Sequence, residues 1–326
     1  MRPEHGYLSE RTGDRRTLAV SDLTAEAVRA AGRGEPALLE SPVGEPHLPG
    51  VTKDPRPLGP HAPDKAFTYS SYLALDELLA LQRPESDEHD EILFIVIHQV
   101  YELWFKELLH EADWLSERLA QGDTGAAMHT LKRILTILKI AVAQLDILET
   151  MTPRDFLSFR DRLASASGFQ SAQFRELEFA LGHKRRAMLE HFPEGSTWRR
   201  NLESRWSSPT VWDALLRYLA ARGYPVPASA LGRDVTARIE PDEGVQRALL
   251  EVYRGDDLPA HLDSQLLERF VDLDEGLQEW RYRHVKMVER TIGARPGTGG
   301  SAGAGYLRTT LSEPFFPDLW AIRTEL

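Results

Sequence analysis

The 326-residue chain contains no cysteine. That absence excludes disulfides, thiolate catalysis, cysteine-held zinc and iron–sulfur clusters, and thiolate-ligated or C-x-x-C-H-attached haem. Long apolar runs are missing too. Ile92 to Ile97, the longest of note, is far too short to span a bilayer. The first twenty residues carry no apolar signal core. No basic run offsets the formal charge of −11, so nucleic acid and anionic membranes are not expected partners. There is no Walker pattern. Gly297, Gly299 and Ala302 fit G-x-G-x-x-A only formally, because they follow a helix and not a strand. Few β patterns and no internal repeat are present. The chain therefore reads as soluble, intracellular and all-α, with length enough for an ample core.

Taken in order, residues 1–65 form a proline-rich extension, expected to be loosely ordered or a docking arm. It holds a possible short helix over Thr24–Ala31 and eight prolines between Gly34 and Pro63. Order is expected from residue 66 onward as one domain, 66–326. Tyr69 to Leu75 leads into a short helix with Leu78 and Leu79. Glu85–Leu119 reads as a long helix with an acidic first turn and an apolar centre, as a helix buried on most sides requires. Gly125–Met151 is a second, striped by Leu131, Ile134, Leu135, Leu138, Val142, Leu145 and Leu148. Thr152 caps an element over Arg154–Leu163 behind Pro153, and Gln170–Leu181 follows, stopped by Gly182. His183–Arg205 is charged and gives no clear pattern. Pro209 behind Ser208 opens a helix to Arg222; others cover Asp242–Arg254 and His261–Ile292.

Three polar features stand out against this background. His284 shares a stripe with Leu277, Trp280, Val288 and Thr291 on the last helix, which Gly293 is expected to stop. A lone histidine on such a face is usually a satisfied core residue, and becomes a ligand only with other support. His98 lies mid-helix, with Phe94 one turn before and Glu102 one turn after; it either bonds a nearby carbonyl or carboxylate or faces a pocket. Phe156 and Arg160 share a face, and a buried arginine there would clamp a carboxylate. Gly297-Thr298-Gly299-Gly300-Ser301 offers amides and hydroxyls with little bulk.

Several blocks in order are similar to one family, tryptophan 2,3-dioxygenase. They are His89–Glu91 with Leu93–Gln99, Tyr101–Lys106, Leu148–Pro153, Phe159-Arg160, Ser167–Ser171 with Gln173–Arg175, Trp280–His284, and Gly297–Ser301. The resemblance runs from about Tyr69 to the C-terminus, weaker between Phe192 and His261. It implies an all-α helical-bundle subunit of a homotetramer, each subunit holding one haem b non-covalently, in the cytoplasm. It implies cleavage of the indole C2–C3 bond of L-tryptophan, or a close analogue, with O2 to give N-formylkynurenine. His284 matches the axial ligand of the haem iron, and His98 the histidine that meets the indole N–H. Arg160 matches the carboxylate clamp; Thr298, with a haem propionate, the ammonium anchor. Phe94, Phe156 and Tyr69 match substrate-pocket residues. Tyr72 and Leu73 match residues reaching a neighbouring subunit's site, and Ser167 and Gly168 residues against the cofactor. Two alternatives stay open: a haem monooxygenase acting on a substituted tryptophan in natural-product biosynthesis, and a non-catalytic haem sensor.

Overall fold

The computed structural model describes residues 68–300 and 303–326, which contain no β-strand. The expected helix at Thr24–Ala31, the proline-rich arm, and Ser301 and Ala302 lie outside the described residues. Three long helices make the frame: α3 (His89–Ala120), α4 (Thr124–Leu148) and α11 (Leu258–Ile292). Helices α3 and α11 both pack along α4. The α4 stripe turns Leu131, Ile134, Leu138, Leu145 and Leu148 into the core, each burial stabilising by roughly 1.5–3 kcal/mol. Ahead of the frame lie α1 (Tyr69–Leu73) and α2 (Leu75–Leu78). Ala74 separates them at φ +49°, a left-handed conformation that ends α1 and begins α2, the short helix expected with Leu78 and Leu79.

The connections are built by caps. Between α3 and the preceding loop, the Glu91 carboxylate accepts from the amides of Glu85 and Ser86, both at 2.8 Å. That ties residues 85–88 into a turn, so α3 begins at His89 and not at Glu85. After α4, Thr152 and Asp155 form a reciprocal cap around Pro153, opening α5 (Pro153–Phe159) as expected. The expected element to Leu163 is not one α-helix: it tightens into a 3-10 turn over Arg160–Leu163. A second 3-10 turn, Gly168–Gln170, precedes α6 (Ala172–Ala180), whose cap is Ser171.

The charged stretch 183–205 holds a 3-10 segment, Arg186–His191, and α7 (Thr197–Ser207). Ser208 ends α7 and does not cap the next helix. Thr210 does: its hydroxyl accepts from the Asp213 amide at 3.2 Å, while its own amide donates to Asp213 at 2.7 Å. That reciprocal pair starts α8 (Val211–Ala221) two residues beyond Pro209. Short α9 (Ala228–Leu231) and α10 (Glu243–Arg254) lead to α11, capped by Asp257. Gly293 does end α11, at φ +62°. The chain closes with α12 (Ala304–Arg308) and α13 (Pro317–Ala321). The fully buried Asp274 of α11 fastens this tail, accepting from the Phe316 amide at 2.9 Å and Trp320 Nε1 at 3.0 Å.

Candidate functional site

Where α3, the end of α4, α5, α6 and α11 meet, they enclose a cavity of about 240 Å³. Phe94, His98, Phe156, Arg160, Ser167, Gly168, His284 and Thr298 all line it. Its walls are mainly aromatic and aliphatic. The rings of Phe94, Phe156 and Phe159 lie with centroids 5.5–5.7 Å apart. Tyr69, Tyr72 and Leu73 are not part of the lining; on α1 they are 74%, 71% and 41% exposed.

His284 stacks on Trp280, one turn earlier on α11, with centroids 5.2 Å apart and planes within 7°. That contact fixes the ring plane. Its nitrogens make no hydrogen bond among the described residues, so the satisfied core histidine is not what this position holds. Burial, then the neighbouring His98 and the Arg175 charge, push its pKa down to about 4. The ring is therefore neutral at pH 7, with a free lone pair opening on the cavity, as an axial metal donor requires.

His98 faces the same space from α3. Its Nδ1 lies 2.7 Å from the Phe94 carbonyl, which only accepts, so Nδ1 carries the proton. Burial keeps the imidazole neutral, with the Phe94 bond and Glu102 opposing. Nε2 is then an acceptor. Both readings of His98 hold at once: a structural bond to a carbonyl sets the tautomer that a cavity-facing acceptor needs.

Arg160 sits where α5 gives way to its 3-10 turn. One Nη2 hydrogen goes to the Pro296 carbonyl at 2.6 Å, and the guanidinium has no acidic partner among the described residues. Thr298 donates its hydroxyl proton to the Ala166 carbonyl. Its oxygen lone pairs remain for an incoming cation. An unpaired cation and a spare acceptor on one rim suit the two ends of a zwitterion.

A second polar group borders the cavity. Glu178 accepts from Arg175 at 2.6 Å, Arg185 at 3.0 Å and Arg281 at 3.2 Å. Burial pushes its carboxyl up, but the three arginines outweigh that and hold it at about 2. Arg281 also bonds the carbonyls of Thr310 and Glu313, tying the tail to α11. Among the described residues the guanidinium of Arg175, 6% exposed, bonds only Glu178 and otherwise lies over Phe169 and Phe174, leaving donors for the cavity it lines. Tyr306, also on the wall, accepts from Arg185 at 2.9 Å and retains its own hydroxyl proton. Together they offer a seat for a carboxylate on the cavity wall. Among the described residues no three His, Cys, Asp or Glu side chains gather around a metal position, so an ion at His284 would arrive with other ligands.

This network carries a pH signature. His183 donates through Nε2 to the Pro314 carbonyl at 3.0 Å and accepts at Nδ1 from Arg281 at 3.1 Å. Burial, then the Arg281 charge, depress its pKa from 6.5 to about 4. A depressed histidine favours the neutral form in the fold. Its contribution is complete above pH 6.5 and is lost as pH falls toward 4. The loss is on the order of 3 kcal/mol. Glu178, depressed from 4.5 to about 2, adds a second loss below pH 4.5. Stability measured by urea unfolding from pH 7 to 4 should fall less steeply in His183→Gln than in the wild type. Identical slopes would rule His183 out as the source.

Sequence reading gave no role to Arg175, Glu178, Arg281 or Tyr306. The first two lie three apart on α6, and Arg281 lies three before His284, but nothing local in the sequence says that they converge.

A family model described as tryptophan 2,3-dioxygenase matches residues 58–204 and 249–326. Tryptophan 2,3-dioxygenase of Anaeromyxobacter dehalogenans (strain 2CP-C) is 60% identical over 267 residues, 82% of this chain and 99% of that protein. The enzyme of the same name from Herpetosiphon aurantiacus is 58% identical over 264 residues, 80% of this chain and 99% of its own length. That of Caulobacter vibrioides is 49% identical over 260 residues, 80% and 98% respectively.

Proposed function

Because this chain belongs to the tryptophan 2,3-dioxygenase family, we propose that its cavity binds haem b and L-tryptophan and cleaves the indole C2–C3 bond with O2. The product is N-formylkynurenine. The observation that carries this reading is the meeting in one cavity of two neutral histidines, an unpaired arginine and a threonine acceptor.

Haem, when bound, supplies the iron that binds and activates O2. His284 would hold that iron through its free nitrogen, its ring plane set by Trp280. Arg175 and Tyr306 would receive a carboxylate of that group, and Ser167 and Gly168 would line its pocket. The remaining work is orientation. Arg160 takes the substrate carboxylate with its planar fork, and Thr298 accepts from the ammonium. Phe94 and Phe156 wall the indole, while His98 Nε2 accepts the indole N–H and fixes the depth of the ring. Holding reactants in a productive pose can lower a barrier by several kcal/mol without any proton transfer. The apolar walls and the glycine loop exclude water from the pair.

The quaternary reading follows from what the single chain leaves uncovered. Tyr69, Tyr72 and Leu73 on α1 and Ile92, Val96 and Leu103 along α3 are exposed apolar residues. They suit a homotetramer in which Tyr69, Tyr72 and Leu73 complete a cavity, in their own or a neighbouring subunit. Residues 66–326 then form the catalytic domain and residues 1–65 an appended arm. No helix among the described residues is long and apolar enough to cross a membrane, which is compatible with a cytoplasmic enzyme.

The test is the mass of the product from ferrous protein, O2 and L-tryptophan. A gain of two oxygen atoms is expected. A gain of one would favour the monooxygenase reading, and no turnover the sensor. Neither alternative is favoured by relatives that carry the dioxygenase name at 49–60% identity over nearly their whole length.

A further inference from the structure

We propose that Gly299 is a positioning residue for the substrate clamp: its missing side chain lets the 296–299 loop seat on the 165–168 turn. The inference rests on the substrate reading above and goes one residue beyond it. Two contacts join loop and turn, and a third ties the loop to Arg160. Arg160 Nη2 donates to the Pro296 carbonyl at 2.6 Å, and the Thr298 hydroxyl donates to the Ala166 carbonyl. Next to them Gly299 comes so close that a Cβ there would sit 2.7 Å from Ser167 Cβ and 3.1 Å from its Oγ.

Ser167 is poorly placed to yield. Its hydroxyl accepts from the Phe169 amide at 3.3 Å, and its amide donates to Gln170 Oε1 at 3.3 Å. Its carbonyl accepts from the Gln170 amide at 2.9 Å. On the other side of the contact the Ala166 amide donates to the Leu163 carbonyl at 2.8 Å, so the turn is held at both ends and a methyl group at 299 would lift the loop instead. The neighbouring Gly300 shows the contrast. It sits at φ +79° with open space where a Cβ would be, so its requirement is conformational. Gly299 has an ordinary φ, and its requirement is room.

What the loop carries is what the substrate needs. Lifting it withdraws the Pro296 carbonyl that aims the Arg160 guanidinium, and it moves the Thr298 oxygen that accepts from the ammonium. Both anchors for the zwitterion shift together, while the indole walls on α3 and α5 stay in place. Gly299 therefore sets how strongly the site reads the amino-acid end of its ligand, and leaves its reading of the ring alone.

The experiment uses the haem-loaded full chain and four proteins: wild type, Gly299→Ala, Gly299→Ala combined with Ser167→Gly, which returns the lost space, and Ser167→Gly alone, which measures what losing that hydroxyl costs by itself and against which the double variant is read. Binding of L-tryptophan is compared with 3-methylindole, which has the ring and neither charged end. Gly299→Ala should weaken tryptophan by at least about tenfold, the loss of about one hydrogen bond to a charged group. 3-Methylindole should change by less than about twofold, and the double variant should recover most of the tryptophan loss. Equal losses for both ligands, or no recovery in the double variant, would overturn the proposal. Seating itself is read without ligand, by hydrogen exchange of amides 297–300. Exchange should quicken in Gly299→Ala and slow again in the double variant. If it does so in a protein that fails to bind tryptophan, the substrate reading falls and the seat stands; unchanged exchange removes the seat.

Discussion

In a His284→Ala protein, haem titrated into the chain is expected to bind at least about 100-fold more weakly than in wild type. Losing only an outer partner of a metal ligand already costs 10–100-fold, and His284 would be the ligand itself. The ferrous absorption spectrum should also lose the signature of a single axial imidazole. The expectation rests on local facts. His284 is neutral, stacked on Trp280, and makes no hydrogen bond among the described residues that could satisfy its free nitrogen. His98 does not stand in for it, because it enters the cavity from a different helix, α3. A His284→Gly variant leaves a slot the size of the lost ring, so added imidazole should restore both affinity and spectrum. Circular dichroism distinguishes loss of ligand from loss of fold. A folded His284→Ala protein with wild-type affinity and spectrum would end the assignment.

Much of this site was legible because it lies on periodic helices. The stripe from Leu131 to Leu148 fixed which face of α4 turns inward, and the structure buries most of it. Leu277, Trp280 and His284 fall on one face for the same reason, which sets the histidine beside the ring it stacks on. His98 was readable as a polar group that must find a partner, and the Phe94 carbonyl one turn away is that partner. Arg160 could be matched to a clamp but not aimed. Its direction depends on Pro296, which lies 136 residues later.

What escaped was non-local or decided by competing caps. Ser208-Pro209 looked like the start of a helix, yet the Thr210–Asp213 pair two residues on makes both of its bonds and wins. The acidic run at Glu85–Glu88 looked like a first helical turn, but Glu91 reached back and took two of its amides. The Glu178 cluster draws on α6, the loop after it, α11 and the C-terminal tail. No window of sequence contains it. A buried carboxylate with three arginines can be inferred only after the helices are docked. Tyr69, Tyr72 and Leu73 are a different case: a single chain leaves them on its surface, so the cavity they are proposed to complete needs the assembly.

Replacing Arg160 by Met should lower kcat/KM for L-tryptophan by about 30-fold or more: truncating one partner of a buried hydrogen-bonded charge pair costs about 2–5 kcal/mol, and the half-buried Arg160 belongs at the lower end. The guanidinium has no acidic partner among the described residues and uses one nitrogen on the Pro296 carbonyl. The rest of its fork is available for two parallel bonds to a carboxylate. Arg160→Lys keeps the charge but not the fork, so it should recover only part of the loss. The specific readout is a cycle of protein against substrate. Tryptamine, which lacks the carboxylate, should be a poor substrate for wild type and should lose less than about threefold on Arg160→Met. A structural role would penalise both substrates alike, because a collapsed loop or a displaced Thr298 harms any ligand with an ammonium. A merely electrostatic role would let lysine serve as well as arginine. Equal losses for tryptophan and tryptamine in a folded, haem-loaded Arg160→Met protein would therefore remove the clamp, and with it the strongest reason for taking an α-amino acid as the substrate.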